Sequence, residues 1–116
     1  MKFENILING DIDKCEIKIT DFSLSALIRL DENGYDSIDS EKRKKYTQLI
    51  DICCSTKEYL APEIIKKQYG PQVDVWAIGC ILYEMLTTSK AFICDDEDTQ
   101  ETFYKRICKG KYDTNK

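Results

Sequence analysis

Residues 69–86 read Y-G-P-Q-V-D-V-W-A-I-G-C-I-L-Y-E-M-L, and from Val73 to Leu86 only Asp74 and Glu84 carry charge. Wound as a helix, Val73, Val75, Ile78, Ile81, Leu82, Met85 and Leu86 point in every direction and leave no polar side. A helix that is apolar all round is expected to be buried all round. The run falls short of the ~20 apolar residues needed to cross a bilayer, so it predicts the central helix of a soluble core. Pro71 suits the helix start, and Asp74 complements the positive end of the helix dipole. The rest of the chain is then expected to pack around this rod.

After the rod, Thr87 to Lys90 is a turn, and Asp95-Asp96-Glu97-Asp98 leads into a last helix over Thr99 to Lys109. In that helix Phe103, Tyr104 and Ile107 lie at helical spacing. Carboxylates at a helix N-terminus are favoured electrostatically, which is enough to account for the acidic run. Gly110 is placed to cap the C-terminus. Before the rod, Pro62 opens a short helix, Glu63 to Gln68, that Tyr69-Gly70-Pro71 breaks. The polar stretch D-E-N-G-Y-D-S-I-D-S-E-K-R-K-K, residues 31–45, predicts a loop. Nearer the N-terminus, Ile6-Leu7-Ile8 and Cys15 to Thr20 form a β-hairpin whose tip runs from Asn9 to Lys14 through the turn signal Asn9-Gly10-Asp11. The second strand alternates polar and apolar residues, as a half-buried strand does. The fold class is therefore mainly α with a small β-hairpin, an α+β arrangement.

At 116 residues the chain holds at most one domain, and its net charge of -4 does not point to nucleic acid. The one basic run, Lys42-Arg43-Lys44-Lys45, follows Glu41 and fits a solvated loop. No leader and no membrane-spanning run are visible. The six cysteines (Cys15, Cys53, Cys54, Cys80, Cys94 and Cys108) show no C-x-x-C pairing, and there is no histidine. A zinc site and a disulfide framework are both disfavoured, and reduced thiols in an intracellular, cytoplasmic protein are expected. Cys80, within the apolar rod, is expected to be a small core residue.

Several blocks stand in order. Met1-Lys2-Phe3-Glu4-Asn5 matches the tail of H-R-D-L-x-x-x-N, Asp21-Phe22-Ser23 resembles D-F-G, and Ala61-Pro62-Glu63 is A-P-E. C-S-T-K-E-Y-L precedes the last of these, and D-V-W-A-I-G follows it. In this order and spacing the chain resembles the C-terminal lobe of a eukaryotic Ser/Thr protein kinase, from Met1 to about Tyr112. The segments I-K-I-T-D-F-S-L-S, E-Y-L-A-P-E and K-G-K-Y-D give it the flavour of the calcium/calmodulin-dependent group.

The resemblance implies ATP- and Mg²⁺-dependent phosphoryl transfer to Ser/Thr hydroxyls of protein substrates. Such chemistry depends on charge neutralisation and positioning, and hard Mg²⁺ ions take carboxylate and amide oxygens. By resemblance Asp21 holds the Mg²⁺ that bridges the ATP phosphates, and Asn5 ligates a second metal. Lys2 approaches the transferred phosphate, and Thr56 packs under the substrate hydroxyl; both mark Ser/Thr specificity. Glu4 and Glu84 match positions that face basic residues of the substrate. Leu7, Ile81 and Met85 form the column beneath adenine, and Phe22 joins the apolar stack between the lobes. Asp74 receives the backbone of the catalytic loop.

Met1 stands at the Leu of H-R-D-L, so the catalytic aspartate, the Gly-rich loop and the ATP-anchoring lysine are not in these residues. Residues 1–116 are accordingly expected to be a partial kinase domain, inactive alone, with an upstream reading frame that encodes H-R-D. Without its covering helices, part of the rod is expected to be exposed, and Glu63 to lack the arginine that pairs a buried carboxylate. Residues 31–45 resemble an insertion in the activation segment. Ile52 replaces an activating threonine, while Tyr46, Thr47 and Ser55 remain phosphosite candidates near Arg43 and its lysine neighbours. Ser23 takes the place of a glycine whose backbone freedom lets Asp21 swing. The alternative to an enzyme is a pseudokinase or a kinase-derived protein-binding module.

Overall fold

The structure is a computed structural model that describes residues 1–23, 25, 56–67 and 70–112. The 31–45 run, Ile52 and the candidates Tyr46, Thr47 and Ser55 lie outside the described residues, as do Gln68 and Tyr69. The chain divides into two units, one of Met1–Glu4 with Thr56–Lys116 and one of Asn5–Ser55.

The unit of Asn5–Ser55 is built on a hairpin. Strand β1 (Ile6–Asn9) pairs antiparallel with β2 (Glu16–Ile19), in the register Ile6↔Ile19, Leu7↔Lys18, Ile8↔Ile17 and Asn9↔Glu16. The Thr20 N–H donates to the Asn5 carbonyl at 2.9 Å and extends the ladder by one rung. Between the strands Gly10 adopts φ +105°, and a Cβ there would meet the Lys14 carbonyl oxygen at 2.5 Å. Only glycine fits that tip, which is why the Asn-Gly-Asp signal was legible. The expectation of a half-buried second strand is corrected: all of β2 is exposed, including Ile17. Opposed residues of an antiparallel pair share a face, so Ile6, Ile8, Ile17 and Ile19 form one apolar face. No other described element of this unit is layered on it.

Among the described residues, the other unit contains three α-helices. Helix α1 (Pro62–Ile65) starts with proline at N1, where the missing N–H costs nothing. Helix α2 (Gln72–Thr87) is the apolar rod, and α3 (Gln100–Cys108) follows. Ala77, Cys80 and Ile81 turn one stripe of α2 inward, and Trp76 stacks on buried Phe92 with ring centroids 5.7 Å apart. The expectation of all-round burial is corrected, and the expectation that part of the rod is exposed is met. Val75, Ile78, Leu82, Met85 and Leu86 form an exposed flank, Val75 at 69% and Leu86 at 77%. A sequence without a polar side does not say which face turns inward. Among the described residues, α2 meets mainly the 3-10 turn Lys57–Tyr59 and Phe92. The helix ends at Thr88, whose left-handed conformation (φ +58°) brings its N–H to the Glu84 carbonyl at 2.8 Å.

Helix α3 is a locally specified element. The Thr99 hydroxyl accepts from the Thr102 N–H at 3.2 Å, an N-cap that contributes about 1 kcal/mol. At the other end Gly110 (φ +60°) donates to the Ile107 carbonyl and Lys111 to that of Arg106, which is the paired bonding of a glycine C-cap. Phe103 and Ile107 are fully buried and α3 packs on α1, while Tyr104 is half-buried. The Arg106 guanidinium lies 5.6 Å from the Phe103 ring centre. It donates to the Ile93 carbonyl at 2.7 Å and pairs with Asp98, with Asp95 3.8 Å away. The acidic run therefore does more than complement the helix dipole. The Asp95 N–H, followed by the Arg106 guanidinium, holds the Asp98 carboxyl below its ordinary range. Glu63 is exposed, so it escapes the desolvation cost expected of a buried lone carboxylate.

Candidate functional site

The hairpin carries Asn5 at the foot of β1 and Asp21 just past β2. Pairing in the observed register returns the chain to its starting edge and places the two side chains together. Asn5 Nδ2 donates to Asp21 Oδ2 at 3.3 Å. That orientation leaves the amide oxygen of Asn5 as a donor atom for a cation. The other carboxylate oxygen, Oδ1, accepts from the Ser23 hydroxyl at 2.6 Å and from the Ser23 N–H at 3.3 Å. Asp21 itself has φ +61°. Aspartate visits this region more readily than most residues, yet it still costs about 1–2 kcal/mol and persists only where surrounding bonds hold it.

Ser23 is not among the described residues with a positive φ. The backbone at this position therefore needs no glycine, and serine fits without strain. Phe22 beside it is exposed. Leu7 is exposed as well, 52%, on the opposite face of β1 from Ile6 and Ile8.

In the other unit, Lys2 is half-buried and Glu4 exposed. Thr56 is half-buried at the start of the Lys57–Tyr59 turn, and its hydroxyl makes no cap bond. The nitrogen of Met1 lies 3.6 Å from Asp74 Oδ1 at the start of α2. Of the three residues assigned to a column under adenine, Ile81 is buried in this unit while Met85 is exposed.

Glu84 has a partner that its position in the sequence did not reveal. The buried Tyr59 hydroxyl donates to Glu84 Oε2 at 2.5 Å. Burial, and then the Glu84 carboxylate, raises the Tyr59 phenol above its ordinary value. Beside it, Lys90 Nζ donates to Glu58 at 3.0 Å and sits 5.9 Å from the Tyr59 ring centre. The bond to Glu58 raises the Lys90 ammonium too. Both groups hold their protons to higher pH when folded than when unfolded. Their stabilisation is complete below the unfolded values and is lost as pH rises through the folded ones. Tyr59→Phe is expected to cost about 1–3 kcal/mol at pH 7, because it strands a half-buried carboxylate. It should also lessen the fall in stability above about pH 10, where an unfolded tyrosine ionises. Urea unfolding midpoints of both proteins at neutral and alkaline pH check this; an unchanged midpoint at pH 7 contradicts it.

The comparisons with known proteins converge on one family. The family model described as protein kinase domain matches residues 1–115. The chain belongs to the protein kinase family. It is 33% identical over 113 residues to calcium-dependent protein kinase 4 of Arabidopsis thaliana, covering 97% of this chain and 19% of the relative. It is 34% identical over 113 residues to serine/threonine-protein kinase H2 of Homo sapiens, covering 97% of this chain and 25% of that one. Against the CaM kinase-like vesicle-associated protein of Danio rerio it is 34% identical over 119 residues, covering 97% of this chain and 23% of the relative. The kinase chain thus spans about a fifth to a quarter of the length of the curated relatives it matches. Among its described residues no helix is long and apolar enough to cross a membrane. The described cysteines Cys15, Cys80, Cys94 and Cys108 are free thiols.

The donor set around Asp21 fits Mg²⁺. Among the described residues no group of three or more His, Cys, Asp or Glu side chains could hold an ion. One carboxylate with one amide oxygen is what Mg²⁺ accepts when water and phosphate oxygens complete its shell.

Proposed function

We propose that this chain is the C-terminal-lobe portion of an ATP- and Mg²⁺-dependent Ser/Thr protein kinase, with Asp21 and Asn5 as metal ligands. The 3.3 Å approach of their side chains, built by the hairpin register, is the observation that carries the reading. Bound metal and nucleotide would supply charge neutralisation at the transferred phosphoryl group. Asp21 would take the ion that bridges the phosphates and Asn5 a second one. Lys2 is assigned to the transferred phosphate, Thr56 to the substrate hydroxyl and Leu7 to the adenine. Glu4 and Glu84 are assigned to basic residues of the protein substrate, with Glu84 shared with Tyr59.

Residues 1–116 contain neither the H-R-D aspartate nor a Gly-rich loop. They are a partial kinase domain in this reading, with 31–45 an insertion in its activation segment. By themselves they are expected neither to bind ATP tightly nor to transfer phosphate. The proposed setting is intracellular and cytoplasmic, where cysteines are kept reduced. Serine at position 23 does not favour the binding-module alternative, since its backbone needs no glycine and its hydroxyl engages the proposed metal ligand.

Manganese, a paramagnetic substitute for Mg²⁺, tests the site in the isolated chain. Titrated into the isotope-labelled protein, it is expected to broaden the signals of Asn5, Asp21 and Ser23 first. Broadening confined to Asp95–Asp98, with none at the hairpin, would overturn the assignment.

A further inference from the structure

We propose that the hydroxyl of Ser23 is a positioning group for the Asp21 carboxylate, fixing one oxygen so that the other faces Asn5 and the metal. This rests on the reading of Asp21 and Asn5 as metal ligands. The terminal torsion of an aspartate is broad and roughly two-fold, so a carboxylate at an exposed position does not orient itself. Here each oxygen has its own donor. Oδ2 receives Asn5 Nδ2 at 3.3 Å, and Oδ1 receives two donors from Ser23, the hydroxyl at 2.6 Å and the N–H at 3.3 Å. The hydroxyl bond has the length of a charge-assisted O–H···O⁻ contact, the stronger class.

Glycine at position 23 could offer only its N–H. Serine adds the short bond while keeping an ordinary backbone. The same hydroxyl also helps to hold Asp21 in its left-handed conformation, φ +61°. What the serine gives up in backbone freedom it returns as a fixed ligand geometry. Outer hydrogen-bond partners of a metal ligand are known to carry about 10–100-fold in affinity.

The test compares wild type with Ser23→Ala, Ser23→Gly and Ser23→Thr, using Mn²⁺ as the probe and the broadening of Asn5 and Asp21 signals as the readout. The alanine and glycine variants are expected to need about tenfold more Mn²⁺ for half-broadening, the low end of that range because the N–H bond remains. Threonine, which keeps the hydroxyl, should restore wild-type binding. Signals from residues 72–108 report that each variant stays folded. If alanine binds Mn²⁺ as well as serine or better, the hydroxyl is an ordinary local turn contact and the inference falls alone. If wild type shows no broadening at Asn5 and Asp21, the metal assignment falls and takes this inference with it.

Discussion

Asp21→Asn is expected to weaken Mn²⁺ binding at the hairpin by more than about 100-fold, beyond the effect of losing an outer hydrogen-bond partner. The substitution preserves shape and removes the negative charge, and its NH2 replaces one of the two oxygens that accept from Asn5 and Ser23. A hard divalent cation draws most of its affinity from such a charge, so charge removal accounts for most of the expected loss. Asp96→Asn removes an exposed carboxylate of the acidic run and is expected to leave hairpin broadening unchanged. In a complete kinase the same Asp21 change should lower phosphoryl transfer by at least about 10²–10³-fold, as loss of a single preorganised electrostatic group does. Retention of site-resolved Mn²⁺ binding in Asp21→Asn would contradict the assignment directly.

Phe103→Ala is expected to destabilise the helical unit by about 3–5 kcal/mol, measured by urea unfolding followed through helical circular dichroism. The ring is fully buried beside Ile107, and the Arg106 guanidinium lies 5.6 Å from its centre. Truncation removes the buried ring, leaves a cavity beneath α3, and takes away the ring that the Arg106 guanidinium covers. Domains are stable by only about 5–15 kcal/mol, so about a fifth or more of the total is at stake. A loss below about 1 kcal/mol would mean that α3 carries little of this unit's core.

The elements read correctly from sequence are those fixed by local chemistry. Thr99 and Gly110 bracket α3 because cap bonds join residues a few positions apart, and Gly10 marks the hairpin tip because only glycine fits there. The inward stripe of α2 was not legible. Ile78 and Ile81 are equally apolar, and only a neighbour such as Phe92 distinguishes buried from exposed. The exposure of β2 is not encoded for a related reason, since alternation gives a face but not a layer to cover it. At the site, motif order pointed to Asp21 and Asn5, and the hairpin register supplied their closeness. The Ser23 hydroxyl bond, the Tyr59–Glu84 pair and the Arg106–Asp98 tie depend on rotamers and on contacts between distant segments. No periodicity encodes these; a polar residue beside a carboxylate motif was the only available hint.

Cys80 lies on the inward stripe of α2, and burial, followed by the nearby Glu84 charge, pushes its thiol up to about 11, whereas Cys15, Cys94 and Cys108 face solvent. Thiolate is the form that attacks electrophiles, so the interior sulfur is shielded twice, by access and by protonation. Among the described cysteines, an alkylating reagent would modify the three outer sulfurs readily and Cys80 only when the helix lifts away. The protein thus contains its own clock for transient opening, and the lag between the two labelling phases measures how rarely that happens.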